Sequence, residues 1–347
     1  MAKPHIQIKD RKIGLDYPPL VIAEVGINHE GDIHKAKKMI MDAHASGAEC
    51  VKFQIHVIED EMIPLAKKVV PGHTKESIWE IMERCALTEP EDRELKSLVE
   101  SLGMIYLSTP FSRAAADRLR SMDVLAYKIG SGECNNYPLI EHIASFKKPV
   151  IMSTGMNDVQ SIKIGVDILE KNNIPYAILH CTSLYPTTYD KVRLGALLEM
   201  KEAFPSAVLG LSDHSLGNYT CFGAVSLGAS ILEKHFTSDK SWPGPDVSIS
   251  IDPKELSELI VGSKAIYSAL GGSKNILPEE KPTIDFAYAC VVTIKNIRKG
   301  EKFTRDNIWV KRPGTGEIKA VEFNSVLGKK ALNDISENSQ LTYKDMI

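Results

Sequence analysis

Short apolar runs recur along the first 270 residues, and each is followed by a segment with helical spacing. Leu20–Val25, Cys50–Gln54, Met104–Leu107, Val124–Ile129, Pro149–Met152 and Tyr176–His180 are six of them, and two more end near Leu211 and Leu232. Eight strand-plus-helix units in roughly 250 residues fit a (β/α)8 TIM barrel, an α/β fold, better than a doubly wound sheet. No Gly-x-Gly-x-x-Gly follows the first run, which argues further against a dinucleotide-binding sheet.

The intervening segments carry helix signals. Asp32 can cap a helix whose Ile33, Ala36, Ile40 and Ala43 share one face, with Gly47 as its stop. A longer insert after the second run predicts helices near 77–84 and 91–102, and its acidic trio Glu59-Asp60-Glu61 reads as a solvated loop. Residues 192–203 predict another helix, and 255–270 a last one that closes the ring. Residues 1–18 read as a short hairpin over the barrel floor. Gly271-Gly272 and Pro278 to Pro282 then read as a linker, flexible first and stiff later. The expected organisation is a barrel domain over 1–270, a linker over 271–285 and a small β-rich domain over 286–347. At about 60 residues the last is a marginal independent fold.

Charge narrows the function. The net charge is −3 with the signs interspersed, so no basic field awaits nucleic acid or an anionic membrane. The six cysteines stand far apart without a Cys-x-x-Cys pair, the usage of a reduced compartment. The N-terminus shows no apolar signal core, and the expected location is cytoplasmic.

Reactive side chains in such barrels sit at the carboxyl ends of the strands. Those tips supply Glu24, Lys52, Gln54, Thr109, Lys128, Ser131, Glu133, Ser153, Ser183, Ser212, His214 and His235. Two lysines among several hydroxyls make a phosphate cradle. A lone lysine is more often a snorkelling surface group; the combination points to an anion site. Glu24 and Glu133 are candidate bases or hydroxyl acceptors, and Asp246, after a rigid Pro-Gly-Pro, can reach back over the mouth. A lone histidine at a strand end is usually a satisfied polar cap. Here His214 and His235 end consecutive strands with Ser212 and Asp213 alongside, a pattern suited to a divalent transition metal with open positions. Two imidazoles that share one ion must lie within about 8 Å of each other.

Taken together, Glu24-Val-Gly-Ile-Asn-His-Glu-Gly31, Val51-Lys-Phe-Gln54, Leu107-Ser-Thr-Pro-Phe-Ser112, Lys128 to Pro138, Ser153-Thr-Gly-Met156, Gly210 to His214, Glu233 to Phe236, Gly244-Pro-Asp246 and Val310 to Gly314 resemble the N-acetylneuraminate (sialic acid) synthases. The likeness covers essentially the whole chain. It implies a TIM barrel joined to a C-terminal SAF, or antifreeze-like, domain, and a domain-swapped homodimer in which that domain covers the partner's barrel mouth. The family condenses phosphoenolpyruvate with N-acetylmannosamine and water, giving N-acetylneuraminate and phosphate. Carried over by residue, His214 and His235 would hold a divalent metal, manganese first, with magnesium or cobalt as alternatives, to polarise the sugar aldehyde. Glu24 would handle the water proton. Lys52, Thr109, Lys128, Ser131, Ser153, Ser183 and Ser212 would form the phosphoenolpyruvate site. Gln54, Glu133, Tyr185 and Asp246 would meet the sugar, with Phe286 and Arg312 arriving from the second chain. Ser183 stands where close relatives often carry asparagine, and Thr188 replaces a nearby proline; the shorter hydroxyl can still donate through water.

Three alternatives remain open on these residues. A legionaminic acid synthase would use a 2,4-diacetamido-trideoxy acceptor with the same machinery. A non-enzymatic sugar-binding module would need neither a metal pair nor a base. A 3-deoxy-heptulosonate synthase shares the barrel chemistry but does not predict Arg312 and its appended domain.

Overall fold

The structure is a computed structural model that describes residues 3–72 and 75–347. The first seven barrel strands are β3 (Leu20–Gly26), β4 (Cys50–Ile55), β5 (Ile105–Pro110), β6 (Tyr127–Ile129), β7 (Val150–Ser153), β8 (Tyr176–Cys181) and β9 (Val208–Asp213). The eighth is β10 (Ile231–His235), preceded in the chain by the hairpin strands β1 (His5–Ile8) and β2 (Arg11–Gly14). The parallel order is β5-β4-β3-β10-β9-β8-β7-β6, and its two end strands lie side by side. Strands buried on both faces read as continuous apolar runs, which is why the sequence announces them so plainly.

Alternation along each strand divides the barrel interior into layers. Leu20, Ile22, Cys50, Ile105, Leu107, Ile151, Leu179 and Ile231 form one apolar cluster. Two residues further along the same strands, the same side of the pleat presents Glu24, Lys52, Thr109, Ser153, Cys181 and Glu233. The opposite parity, including Val21, Ala23, Val51, Phe53 and Tyr106, packs outward among the helices.

The β1–β2 hairpin inserts Ile6, Ile8 and Ile13 into the lower cluster, so it closes the barrel floor as its sequence suggests. Each such side chain contributes roughly 1.5–3 kcal/mol by leaving water. Helices start where side chains satisfy their first amides: Asp32 accepts from the amides of His34 and Lys35, and Ser77 with Glu80 forms a reciprocal box. Further boxes pair Thr88 with Glu91 and Asp252 with Glu255. The helix expected over 192–203 is shorter, Ala196–Ala203, because Arg193 takes a left-handed conformation (φ 55°) that ends the preceding turn.

The acidic trio leaves Glu59 and Asp60 exposed, as a solvated segment would, but it is not a loop. Ile58–Glu61 is a helical turn in which Asp60 accepts from the Ala114 amide at 2.6 Å and Glu61 pairs with His56.

The chain divides into two compact units, Met1–Gly271 and Gly272–Ile347. The second begins with a short helix, Lys281–Ala287. It continues with the antiparallel pair β11 (Cys290–Thr293) and β12 (Ile308–Lys311), tied to the tail by isolated bridges such as Val292 with Gln340. Val291, Phe303, Ile308, Ile318, Val326 and Leu341 give it a core of its own. Among the described residues no helix is long and apolar enough to cross a membrane.

Candidate active site

The upper layer of the barrel encloses a cavity of about 310 Å³ at the carboxyl ends of the strands. Its walls include Glu24, Lys52, Gln54, Thr109, Lys128, Ser131, Ser153, Ser183, Tyr185, Ser212, His214 and His235, twelve of the residues singled out from sequence. Lys52 Nζ lies 2.8 Å from Glu24 Oε2, 3.7 Å from Glu233 Oε1 and 3.2 Å from Thr109 Oγ1. Lys128 Nζ donates to Ser153 Oγ at 2.6 Å and lies 3.6 Å from Glu233. Ser212 Oγ donates to the same Glu233 Oε1 at 3.1 Å. Two ammonium groups and two carboxylates thus share one buried floor.

The electrostatics of that floor are unequal. Burial, with Glu233 adding to it, pushes the Glu24 carboxyl up to about 7 against the opposing pull of Lys52. Glu233 is also penalised by burial, yet Lys128 and Lys52 outweigh this and hold it below the usual carboxylate range. Burial pulls the Lys128 ammonium down, whereas for Lys52 the two carboxylates overcome it and raise it. An arriving polyanion would favour the charged form of both lysines.

Across the cavity the ring centroids of His214 and His235 lie 5.4 Å apart, well inside the separation two imidazoles can bridge. His214 Nδ1 is 2.9 Å from the Thr182 carbonyl, a contact that keeps a hydrogen on Nδ1 and leaves Nε2 as the nitrogen that would meet a metal. Burial, then the charge of His214, holds His235 well below its usual range, so its ring is neutral. His235 Nδ1 is buried without a hydrogen-bond partner among the described residues and lies 3.6 Å from Asp246 Oδ2. His235 is a neutral nitrogen donor. For His214, burial is outweighed by Cys181 and the Thr182 carbonyl, which raise it, and an arriving cation would displace its proton. The pair, with a carboxylate close by, fits a borderline-soft divalent ion completed by substrate or water oxygens. Among the described residues no group of three or more His, Cys, Asp or Glu is placed to hold a metal ion, so the two imidazoles would depend on those oxygens to complete it. Tyr185 stacks on His214 at 4.2 Å and walls the pair on one side.

Some sequence expectations land elsewhere. Glu133 lines a neighbouring cavity and accepts from Asn136 Nδ2, its carboxyl raised by burial. Asp213 points away from the mouth. Its carboxylate takes Lys234 Nζ at 2.6 Å and Thr220 Oγ1 at 2.7 Å, a buried pair between strand and helix. Phe286 and Arg312 are exposed residues of the second unit.

Glu233, Cys181 and Phe111 also line the cavity, and sequence reasoning passed over them. The signal for Glu233 was available, because it precedes His235 by two on one strand and must share its face. Cys181 follows the same parity on β8, and its Sγ lies 3.9 Å from His214 Nδ1. Gly155 explains a tight corner of the wall: a Cβ there would collide with Ser183 Oγ and come within 2.9 Å of Ser131 Oγ. Its amide donates to Ser131 Oγ at 3.0 Å.

The chain is 37% identical to N,N'-diacetyllegionaminic acid synthase of Campylobacter jejuni, covering 92% of this chain and 97% of that protein. It is 32% identical to human N-acetylneuraminate-9-phosphate synthase, over 95% and 93% of the two chains. The crystal structure of N-acetylneuraminic acid (sialic acid) synthetase from Leptospira borgpetersenii superimposes with a TM-score of 0.74 at 30% identity, covering 81% of this chain and 95% of that one. The NeuB family profile matches residues 39–275 and the SAF domain profile residues 288–346. The chain is therefore an enzyme of the NeuB family, a TIM-type barrel carrying a C-terminal SAF domain.

Proposed function

We propose that the enzyme joins phosphoenolpyruvate to the open-chain aldehyde of an acylated amino sugar, with water, to give a nine-carbon keto sugar acid and phosphate. The observation that carries this reading is the buried floor of Lys52 and Lys128 with its hydroxyls, facing a pair of imidazoles across one cavity. Lysines and hydroxyls are what an enol phosphate needs, since its charge is spread over a phosphate and a carboxylate. His214 and His235 would hold a divalent metal, manganese first, which when bound supplies Lewis-acid polarisation of the sugar aldehyde.

The chain's own residues account for the remaining steps. Lys52, Thr109, Lys128, Ser131, Ser153, Ser183 and Ser212 hold the enol phosphate with carbon 3 toward the aldehyde. Carbon 3 attacks the aldehyde carbon, whose oxygen takes a proton and becomes a hydroxyl. Water adds at carbon 2 and yields its proton to Glu24, a buried carboxyl held near neutrality and so suited to both accepting and releasing it. The tetrahedral adduct expels phosphate by carbon–oxygen cleavage. Gln54 and Tyr185 border the space left for the sugar, with Asp246 beside His235 and Glu133 in the neighbouring cavity.

The first acceptor in this reading is N-acetylmannosamine, giving N-acetylneuraminate. A second acceptor, the 2,4-diacetamido-trideoxy hexose, is favoured by one observation, the higher identity to the Campylobacter legionaminic acid enzyme than to the human one. We further infer a homodimer in which Phe286 and Arg312 of one chain meet the sugar bound to the other. Six free and buried cysteines support a cytoplasmic setting.

The test is turnover by the purified full chain with phosphoenolpyruvate, manganese and each sugar, read by product mass and phosphate release. Oxygen-18 in the bridging position of phosphoenolpyruvate should emerge in phosphate. Chelation should stop turnover and manganese should restore it. No phosphate release with either sugar would leave a binding module and sink the proposal.

A further inference from the structure

A line of side chains leads from the buried base away from the reacting centre. Glu24 Oε1 accepts from Gln54 Nε2 at 3.0 Å. Gln54 Oε1 lies 3.1 Å from His56 Nε2, and His56 Nδ1 lies 2.8 Å from Glu61 Oε2. The participants come from β3, from the end of β4 and from the helical turn that the sequence presented as a loop. The His56 ring is buried and stacks on Phe111, centroids 4.6 Å apart and planes 14° from parallel. Phe111 lines both the site cavity and the neighbouring 640 Å³ cavity that Glu61 and Glu133 border.

An amide can reverse its oxygen and nitrogen with almost no change of shape, but the reversal exchanges donor for acceptor. Gln54 touches Glu24 on one side and His56 on the other, so its direction is set by both neighbours: Glu24 takes an amide hydrogen and His56 Nε2 faces the amide oxygen. Both ring nitrogens of His56 face oxygen atoms, Gln54 Oε1 and Glu61 Oε2, and a hydrogen on Nε2 is what the amide carbonyl accepts; Glu61 holds the ring from its other side. Gln54 then gives one Nε2 hydrogen to Glu24 and keeps the second for another acceptor.

We propose that His56 and Glu61 are positioning residues for acceptor-sugar recognition: they fix the direction of the Gln54 amide, so that the cavity offers an N–H to an oxygen of the sugar. This rests on the reading that Gln54 meets the acceptor, and it adds two residues outside the cavity wall to the specificity apparatus. Without them the amide could turn its carbonyl to the sugar and set two oxygens against each other.

Steady-state kinetics of the full chain with manganese, phosphoenolpyruvate and whichever sugar it consumes provide the test. His56→Leu is expected to lower kcat/KM for the sugar about 10- to 100-fold while the KM for phosphoenolpyruvate stays within about 2-fold. His56→Gln, whose amide nitrogen can reach the same oxygen, should recover most of that loss. In a Gln54→Met background His56→Leu should cost less than about 2-fold, because the residue through which it acts is gone. If His56→Leu fails to fold, Glu61→Gln at the cavity edge carries the same expectation of a sugar-selective loss. An equal loss in both backgrounds, a matching loss for phosphoenolpyruvate, or no loss at all overturns the inference. A wild-type chain inert with both sugars would overturn the proposed function and this inference with it; an active chain indifferent to His56 and Glu61 overturns this inference alone.

Discussion

The two ends of the barrel are built by the same eight strands and obey opposite rules. At the floor, Ile6, Ile8 and Ile13 of the hairpin meet Leu20, Ile22 and Ile151 in a layer without a charge. At the mouth, a few ångströms along each strand, the inward positions carry Glu24, Lys52, Lys128, Glu233 and two imidazoles, and Glu233 Oε2 lacks a hydrogen-bond partner among the described residues. Glu24 Oε2 is held by the Lys52 ammonium at 2.8 Å. One end lowers the free energy of the fold, and the other retains buried charges that cost folding free energy but suit ligand binding. The difference teaches that in such a barrel the position of a residue along its strand says more about its task than its burial does.

Substitution can break that division, and the largest effect should come from the mouth. Lys128→Met is expected to lower kcat/KM about 10²- to 10³-fold, as loss of a positioned cation at a developing charge does, in assays over phosphoenolpyruvate concentration. Its stability should change by less than about 2 kcal/mol, because the release of an ammonium that burial disfavours offsets the charge lost beside Glu233, which keeps Lys52 as a partner. Equal losses of activity and stability would erase the distinction.

Ile13→Ala at the floor should do the reverse. We expect a loss of about 2–4 kcal/mol in denaturant unfolding, with kcat within about 2-fold of the parent while the chain is folded.

Acid should sharpen the contrast. His29, just beyond β3, is held down to about 4 by burial first and by His56 second, and its Nε2 has no hydrogen-bond partner among the described residues. Its folded value lies below the unfolded 6.5, so the unfolded chain binds the extra proton between these values. The stability it contributes is present above pH 6.5 and is lost as pH falls through 4. His29→Asn, which keeps an acceptor for the Gly31 amide, should flatten that part of the melting-temperature profile. The apolar floor offers no counterpart.

The smallest effect belongs to neither end. Lys163 and Asp167 pair at 2.6 Å on an outer helix, both more than half exposed. Lys163→Ala should shift unfolding by less than about 0.5 kcal/mol and leave turnover unchanged.

What the sequence makes legible follows the same geography. Eight strands were readable because burial on both faces leaves continuous apolar runs, and most of the cavity wall was readable because strand tips converge by topology. Glu233 was readable in principle from its parity with His235. Asp213 misled because its partner Lys234 lies on the next strand, and only the β9–β10 register sets the two side by side. The His56–Glu61 pair was invisible for a related reason. A charged stretch in an insert looks solvated until the fold turns it back onto the strand that precedes it.

The sealed floor has a kinetic corollary. A well with one opening is filled and emptied in sequence, so whatever rests on the lysines must arrive before, and depart after, whatever sits above it. On the proposed chemistry inorganic phosphate is the bottom occupant once the reaction is over. It should therefore compete with phosphoenolpyruvate for the vacant enzyme, and the sugar acid should be the first product out.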